Sequence, residues 1–425
     1  MLEDESARVA LCGDALPAGA CVTGVVAAVR GRVLPSGDFH VTAVTYAGMA
    51  PQPPLPADRP DRWVGGGAAV VSGPQEEGAA VAGGGASHIT PLPSQLHAPP
   101  LRACCPTPAA RPPRPPRSYV ALVSGLGVGD EEGDPLRLQL LVDYLAGALG
   151  AGQDQSVAAR VARVVVAGGL LKSTAELSQP TAYTSLRQQA SALGPVRCGG
   201  REGGRAELCC PRPPRTAALH SQAVLAVPAG SLTRARPVPL SRDLDMSLTE
   251  LASAVPLDLM PGAGDPSNYS LPQQPLHRCL LPGAAAYASV VRATNPHAFT
   301  VAGVSFLGTS GQNVDDIHRY SDLDSRDLIL ERLLAWRHLA PTAPDTLAAY
   351  PYFDADPFIM DATPHVLFAG GQPEFGTRLV AGPGGAGPGV RVVAVPDFNA
   401  TGCLVLLNLA TLQCHPLYFD VGAAA

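Results

Sequence analysis

The chain has 425 residues, enough for one large domain or two ordinary ones, and its 45 glycines and 44 prolines are well above average usage. Thirty basic residues face 36 acidic ones, and the formal net charge of −6 disfavours direct binding along a nucleic-acid backbone. The ten cysteines include no CxxC pair, so we expect no thiolate zinc site. The first residues are acidic, and no continuous apolar run reaches about 18 residues, so we expect a soluble chain.

The first fifty residues alternate apolar and polar side chains in short bursts. We predict a small β-meander of three strands, with a turn at 35–37 between the last two. Three strands are too few to close a barrel, so either the domain lacks its first part or its open edge pairs with another element. Phe39 and Tyr46 are the only aromatic residues of the meander, and Arg30 and Arg32 are nearby. We expect the two aromatic side chains to pack in the core or between domains rather than to stack on the bases of single-stranded DNA.

Two segments have a low-complexity composition that predicts no packed structure. The first covers 57–117 and includes RPPRPPR, and the second covers 196–236 and interrupts an otherwise helical neighbourhood. We interpret both as insertions of solvated linker, although RPPRPPR also fits an SH3-type ligand or a DNA-contacting arm. The predicted domains are therefore 1–56 and 118–421.

From residue 118 onward, strands and helices alternate, which predicts an α/β sheet. The first predicted elements are a strand at SYVALVSG, a helix over 135–150, a strand at VARVVVAGG, a helix around 244–255 and a strand at PLDLMPG. The later ones are a hairpin at FTVAGVSFLGTSG, a helix over 326–339, and strands at HVLFAGG, VRVVAVPDF and CLVLLNLATLQCHPLYF. Strands outnumber helices toward the C-terminus.

Glycine-rich turns follow several of these strands, at the edge where open α/β folds bind ligands. SGLGVGDEEGD is only partly like a dinucleotide-binding loop, because Asp130 stands where the third glycine is needed. FLGTSGQ is only partly like a nucleophile elbow, because Gln312 replaces the final glycine and no histidine or aspartate can be assigned to Ser310. We expect neither a nucleotide site nor a hydrolase serine, and tight turns alone account for the glycines.

Taken in order, five turns resemble the strand-end motifs of the calcineurin-like metallophosphoesterases, which read D-x-H, G-D-x-x-D, G-N-H-D, a lone His and G-H-x-H. The turns are SGLG, AGGLLK, MPGAGDP, GTSGQNVDDI and AGGQP. In that family the motifs hold two metal ions about 3.5–4 Å apart, which activate water and clamp a phosphoryl group. The resemblance implies an α/β fold in which a β-sandwich is flanked by helices, preceded here by a partial OB-fold meander.

Carried onto this sequence, the metal-binding motifs have lost nearly all their donor side chains. The matching positions are Gly125, Gly127, Gly169, Lys172, Ala263, Gly264, Asp265, Ser310, Gly371 and Pro373. Glycine, alanine and proline have no side-chain donor, a lone serine is a poor ligand, and a lysine adds positive charge beside a cation. Asp265 alone matches its motif, so the resemblance implies no metal, no cofactor and no catalytic residue.

The same turns, without metal-binding side chains, resemble those of the small accessory B subunits of the replicative DNA polymerases, most of all those of polymerase delta. The stretches that carry the resemblance are VALVSGLGVG, SAVPLDLMPGAGDPSNYSLPQQPLH, FLGTSGQNVDDIHRYS, RHLAPTAPDTLAAYPYFDADPFI and HVLFAGGQPEFGTRLV. The resemblance covers roughly 1–57, 118–195 and 237–421, and its N-terminal part is similar to the second half of the family's OB-fold domain.

The resemblance implies a nuclear, non-catalytic scaffold. Its partners would be the C-terminal domain of the polymerase delta catalytic subunit and a third subunit that reaches the sliding clamp, with only indirect or weak contact to DNA and none to membranes. Two alternatives stay open: a B subunit of polymerase alpha or epsilon, and a divergent metallophosphoesterase with relocated ligands.

Two further features have more than one interpretation. The stretches RHLAPTAPDTLAAYPYF and SNYSLPQQPLH are rich in apolar and aromatic residues, which suits either a protein interface or long loops pinned onto the body. Asp315 and Asp316, beside Arg319, fit either a partner contact or the solvated start of a helix.

Overall fold

The computed structural model describes residues 1–3, 8–15, 18–56, 69–72, 118–130, 132–172, 239–385 and 387–420. The second predicted insertion, 196–236, lies outside these ranges, as does all of the first except four residues. Within the described ranges, no helix has the length and apolar character needed to cross a membrane.

Short strands form the N-terminal part of the chain. They are β1 (Leu2–Glu3), β2 (Arg8–Val9), β3 (Leu11–Cys12), β4 (Ala27–Val33) and β5 (Phe39–Tyr46). β4 and β5 form the predicted antiparallel hairpin, and the Leu34 N–H donates to the Asp38 carbonyl at 2.8 Å across the predicted turn. The prediction of a simple meander is wrong for the first strand. β3 pairs in parallel with β5, because the long connection after β3 allows the crossover that parallel pairing needs.

One strand, β6 (Ala69–Ser72), lies inside the first predicted insertion and pairs in parallel with the last strand of the chain. The prediction that 57–117 lacks regular structure is therefore wrong at these four residues. Their β-branched valines fit a short strand at the edge of a sheet, although the surrounding composition hides the signal.

The remaining strands and helices alternate as predicted, which confirms the mixed α/β class. They are β7 (Tyr119–Val123), α1 (Pro135–Ala146), α2 (Gly152–Ala158), β8 (Val161–Ala167), α3 (Pro239–Ala254), β9 (Leu257–Met260), β10 (Val290–Arg292), β11 (His297–Val301), β12 (Val304–Thr309), α4 (Gln312–Arg319), α5 (Arg326–Trp336), β13 (Val366–Gln372), β14 (Gly376–Val380), β15 (Val390–Pro396), α6 (Phe398–Thr401), β16 (Cys403–Asn408) and β17 (Cys414–Asp420). The sequence did not predict α2, β10, β14 or α6, because such short elements carry little periodic signal. It indicated α4 only as one interpretation of the acidic pair at Asp315 and Asp316.

Local chemistry explains where the first of these helices begins and ends. The Asp134 carboxylate accepts the Leu136 N–H at 2.9 Å, and Pro135 occupies the first helical position, where no backbone donor is needed. Gly147 ends α1 with a φ of +79°, a left-handed conformation that glycine adopts without a steric penalty.

Two sheets form the body of the protein. Their strand orders are β10-β9-β8-β7-β16-β17-β6 and β11-β12-β13-β15-β14. Alternate residues of β7 point to opposite sides: Val120 and Leu122 join the apolar core between the sheets, and Tyr119, Ala121 and Val123 pack under helices. Helices α1 to α3 cover the outer face of the first sheet, and α4 and α5 cover that of the second. Strands buried on both faces explain why continuous apolar runs, rather than alternating ones, mark them in the sequence.

Candidate functional site

Five parallel strands end at one edge of the body, where the sequence predicts the candidate site. β7, β8 and β9 end there in the first sheet, and β12 and β13 end there in the second. Contacts join the two sheets: the Gly371 N–H donates to the Ser124 Oγ at 2.8 Å, and Ser310 packs against Gly168. The structure therefore brings the five glycine-rich turns together, as expected for the carboxyl ends of parallel strands.

The first three turns pack backbone against backbone. The Gly125 N–H donates to the Gly168 carbonyl at 2.9 Å, and the Gly127 N–H donates to the Gly169 carbonyl at 3.0 Å. A Cβ atom on Gly169 would lie 2.8 Å from the Gly125 Cα, and one on Gly262 would lie 2.7 Å from the Gly169 nitrogen. Both distances are shorter than side-chain carbons tolerate in a close-packed interior. The turns thus occupy, with their own backbone, the space that side chains would need.

Asp265, the one position that keeps its motif residue, is buried and bonded to the neighbouring turn. Its Oδ2 accepts the N–H groups of Gly169 at 2.9 Å and Gly262 at 2.7 Å, and its Oδ1 accepts the Leu171 N–H at 3.0 Å. Burial raises the pKa of this carboxyl, while the backbone donors oppose the shift because they favour the charged form. Asp265 therefore ties the second turn to the third and satisfies three backbone donors that the turns leave without strand partners.

Lys172 pairs with a second carboxylate, that of Asp130 at the end of the first glycine-rich turn. Its Nζ lies 2.7 Å from the Asp130 Oδ2, which also accepts the Asn399 Nδ2 at 2.8 Å. The bond from Lys172 lowers the pKa of Asp130. Half of the Lys172 side chain is exposed, so solvent screens the pair and it stabilises the fold only weakly. The glycine-loop pattern around Asp130 gave no sign of this ion pair, because Lys172 lies 42 residues away in the chain.

Ser310 stands where the phosphoesterase motif has its lone histidine, and it belongs to a network of amides. Asn295 donates its Nδ2 to the Ser310 Oγ at 2.6 Å and to the Gln273 Oε1 at 2.8 Å. The Ser310 hydroxyl donates to the Gln312 Oε1 at 2.7 Å. The partners of this hydroxyl are therefore amides, which cannot act as a general base for a nucleophilic serine. Asn295 and Gln273 were not predicted as site residues, because no motif links their segments to Ser310.

The remaining predicted positions offer no side-chain donor. Ala263, Gly264, Gly371 and Pro373 are all exposed at the rim of the turns. Across the described ranges, no group of three or more histidine, cysteine, aspartate or glutamate side chains is arranged to hold a metal ion.

A carboxylate that the sequence analysis did not single out, Asp397, lies at the same edge. It accepts the Ala400 N–H at 3.1 Å and so begins α6, and its own N–H donates to the Gln372 carbonyl at 2.9 Å. A side chain at Gly125 would overlap the Asp397 carboxylate. Burial raises the pKa of this group. The signal for it in the sequence is the VPDFN stretch, in which an aspartate follows an apolar strand and precedes a helix.

The segment that follows β5 is joined to the body by polar bonds, and β5 itself is joined to it by one aromatic contact. Gln52 donates its Nε2 to the Gly389 carbonyl at 2.9 Å, and the Thr363 hydroxyl donates to the Ala50 carbonyl at 2.6 Å. The ring of Tyr46 meets that of Trp336 edge to face, with centroids 6.4 Å apart. The packing role predicted for Tyr46 is confirmed, and its contacts lie between the two parts of the chain.

The acidic pair at the start of α4 is part of the fold. The helix start is confirmed, but Asp316 is 5% exposed and accepts the Thr346 hydroxyl at 2.6 Å, so the interpretation of it as a solvated residue is wrong. Asp315 pairs with Arg326 at 2.9 Å. Among the described residues, neither aspartate forms a hydrogen bond or an ion pair with Arg319. Their partners are Arg326 of α5 and Thr346 of the loop that follows α5.

Comparison with known families gives matches in two regions. Residues 120–377 match the B-subunit family of DNA polymerases alpha and epsilon. Residues 1–44 match the DNA polymerase delta subunit OB-fold domain. The second match covers the N-terminal strands, and the first begins at β7.

Curated relatives align over nearly the whole chain. A DNA polymerase delta small subunit from Oryza sativa subsp. japonica is 35% identical over 420 residues, covering 99% of this chain and 73% of the relative. The protein of the same name from Arabidopsis thaliana is 35% identical over 420 residues, with 99% and 72% covered. That of Saccharomyces cerevisiae is 27% identical over 452 residues, with 99% and 70% covered.

Proposed function

Since this chain belongs to the B-subunit family of DNA polymerases alpha and epsilon, we propose that it serves as the accessory small subunit of DNA polymerase delta in DNA replication, within the nucleus. The observation that carries the proposal is the alignment of 99% of the chain with proteins named DNA polymerase delta small subunit. The match of the first 44 residues to the delta OB-fold domain favours polymerase delta over alpha or epsilon.

The body would be a calcineurin-like phosphoesterase fold that has become a scaffold, with 1–56 as a partial OB-fold domain and the phosphoesterase-like domain over 118–421. Two facing sheets with helices on both outer sides support this assignment. The polar bonds from the segment after β5 to the body, and the contact of Tyr46 with Trp336, support a single rigid platform rather than two mobile modules.

The edge formed by the glycine-rich turns would be the remnant of a metal centre that no longer binds metal or performs catalysis. Two features support this. The turns pack so closely at Gly169 and Gly262 that ligand side chains do not fit there, and both carboxylate oxygens of Asp265 already accept backbone N–H groups. What the edge contributes is rigidity, since each turn is bonded to its neighbours.

The partner held by this platform would be the C-terminal domain of the polymerase delta catalytic subunit. A third subunit, bound to the same platform, would extend toward the sliding clamp. The formal net charge of −6 supports contact with DNA through these partners rather than directly.

Co-expression with the C-terminal domain of the polymerase delta catalytic subunit tests the proposal. We expect the two chains to elute together from a sizing column as an equimolar pair. The same preparation should show no hydrolysis of a model phosphodiester with added Mn²⁺, with or without the substitution Asp265→Ala. Separate elution of the two chains would contradict the accessory role, and Asp265-dependent hydrolysis would contradict the loss of catalysis.

A further inference from the structure

A continuous run of eight exposed residues, 350–357, stands out on the surface of the body. Tyr350 is 62% exposed, Tyr352 is 49% exposed and Phe353 is 97% exposed. Single exposed apolar residues are ordinary on a protein surface, whereas three aromatic side chains within four positions of one loop mark an interaction site. We name residues 350–357 the aromatic loop.

The aromatic loop is anchored at both ends. The Tyr350 N–H donates to the Leu271 carbonyl at 2.8 Å, and beyond the loop the Phe358 carbonyl accepts the Leu339 N–H at 2.8 Å. Phe358 is 4% exposed and packs into the core beneath α4 and α5. The rings of Tyr350 and Tyr352 meet edge to face, with centroids 5.0 Å apart. Because the backbone is already held in place, a partner that covers these rings loses little conformational entropy in ordering the loop.

The chain around the aromatic loop is acidic. Between Arg337 and Arg378 the sequence has no lysine or arginine. The acidic residues in this interval are Asp345, Asp354, Asp356, Asp361 and Glu374. Negative charge disfavours a nucleic-acid partner, whose phosphates it would repel, and favours a protein segment with lysine or arginine. Arginine suits both features, because its guanidinium group stacks on aromatic rings and pairs with carboxylates.

Within this cluster, Asp356 has a structural role and Asp354 is available to a partner. Asp356 binds the His338 Nε2 at 2.8 Å and accepts the Phe358 N–H at 2.9 Å, so it shapes the turn that ends the loop. Asp354 and Asp361 are exposed on either side of that turn. Two exposed carboxylates therefore follow the exposed aromatic side chains along the chain, and a basic segment with apolar or arginine side chains matches both features.

We propose that the aromatic loop is a docking surface for a basic segment of the polymerase delta catalytic subunit. Tyr352 and Phe353 supply the apolar contact, and Asp354 and Asp361 supply the charge that orients the segment. This inference rests on the proposed function, since it names the place where the same partner binds. It combines the two interpretations of the surrounding stretch, because the loop is pinned onto the body and also leaves aromatic side chains exposed.

Binding measurements with the full chain and the purified catalytic subunit test the inference. The first variant is the double substitution Tyr352→Ala with Phe353→Ala, and the second is the charge reversal Asp354→Lys with Asp361→Lys. The aromatic control is Tyr287→Ala, which removes a ring that is 38% exposed on the helix side of the first sheet. The charge control is Glu250→Gln, an exposed position on α3. Biolayer interferometry at low and at moderate salt gives the dissociation constants.

We expect each loop variant to weaken binding at least about tenfold, the loss typical of residues that dominate an interface. The charge-reversed variant should also lose the salt dependence that the wild-type chain shows. Both controls should stay within about twofold of wild type. All four variants change exposed side chains, so their melting temperatures should match that of the wild-type chain.

Several outcomes would overturn the inference. Wild-type binding that the loop variants leave within about twofold would exclude the aromatic loop while leaving the accessory role intact. No wild-type binding at all would instead refute the proposed function on which the inference rests. Fluorescence anisotropy with a labelled single-stranded oligonucleotide tests nucleic acid as an alternative partner. If the wild-type chain binds the oligonucleotide and the aromatic variant does not, the loop binds nucleic acid and the inference is wrong.

Discussion

Replacing Gly169 with alanine tests whether close backbone packing, rather than chance, keeps glycine at the candidate site. The φ of +69° at this residue costs alanine about 1–2 kcal/mol. The added Cβ would also lie 2.8 Å from the Gly125 Cα, and relieving such an overlap costs about 1–3 kcal/mol. Together these effects predict that Gly169→Ala lowers the free energy of unfolding by about 2–5 kcal/mol.

Gly147→Ala is the matched control. Gly147 has a φ of +79° at the end of α1, and a Cβ atom there would meet nothing within 4 Å. Its substitution therefore reports the cost of the left-handed conformation alone. Urea unfolding followed by far-ultraviolet circular dichroism measures both variants, and we expect Gly169→Ala to be the more destabilising by at least about 1 kcal/mol. Equal losses for the two variants would refute the argument that the turns exclude side chains.

Three further substitutions have expected outcomes. Asp265→Ala leaves three backbone N–H groups without their acceptor and should lower the free energy of unfolding by about 2–4 kcal/mol in urea; a loss under about 0.5 kcal/mol would contradict its structural role. Burial, with a contribution from Cys21, raises the pKa of Tyr46 from 10.0 to about 12. The folded protein therefore holds this proton more tightly than the unfolded chain does, so stability should fall as the pH rises from about 10 toward 12. Tyr46→Phe should make that fall less steep in urea titrations, and an unchanged slope would argue against the burial of Tyr46. Lys172→Ala should lower the free energy of unfolding in urea by less than Asp265→Ala does, because the Lys172 side chain that pairs with Asp130 is 50% exposed. An equal loss for the two variants would contradict this ranking.

Much of the fold could be predicted from the sequence because its central strands are buried on both faces. Apolar runs such as VALV, and VARVVVA with its single arginine, are typical of strands that are buried on both faces. The parallel pairing of β3 with β5 could not be predicted in this way, since pairing across a long connection leaves no local pattern. The strand β6 escaped prediction because glycine-rich sequence surrounds its four residues.

The candidate site was predictable only in part. The order of the glycine-rich turns along the chain indicated that they lie at one edge, and the structure brings them together there. The hydrogen-bond partners within the site could not be predicted, because Asn295, Gln273 and Asn399 come from segments in which no motif marks them as site residues. The same limit explains Asp316, whose partner Thr346 is supplied by a loop thirty residues away.

The exposed aromatic side chains illustrate a different limit. The sequence indicated that the stretch RHLAPTAPDTLAAYPYF was unusually apolar for a loop, but not which of its residues are buried. The structure separates them: Phe358 packs into the core, whereas Phe353 faces solvent. This difference in exposure identifies which residues of the apolar stretch can contact a partner, and substitutions of those residues can test the contact.

An accessory subunit of polymerase delta should bind the delta catalytic subunit in preference to those of polymerases alpha and epsilon. The most direct measurement co-expresses the tagged chain with the catalytic subunits of polymerases alpha, delta and epsilon together, and counts the captured subunits by quantitative mass spectrometry. We predict that the delta catalytic subunit is recovered at about one copy per tagged chain, with the other two near background. Recovery of the alpha or epsilon subunit instead, or of none of the three, would contradict the account.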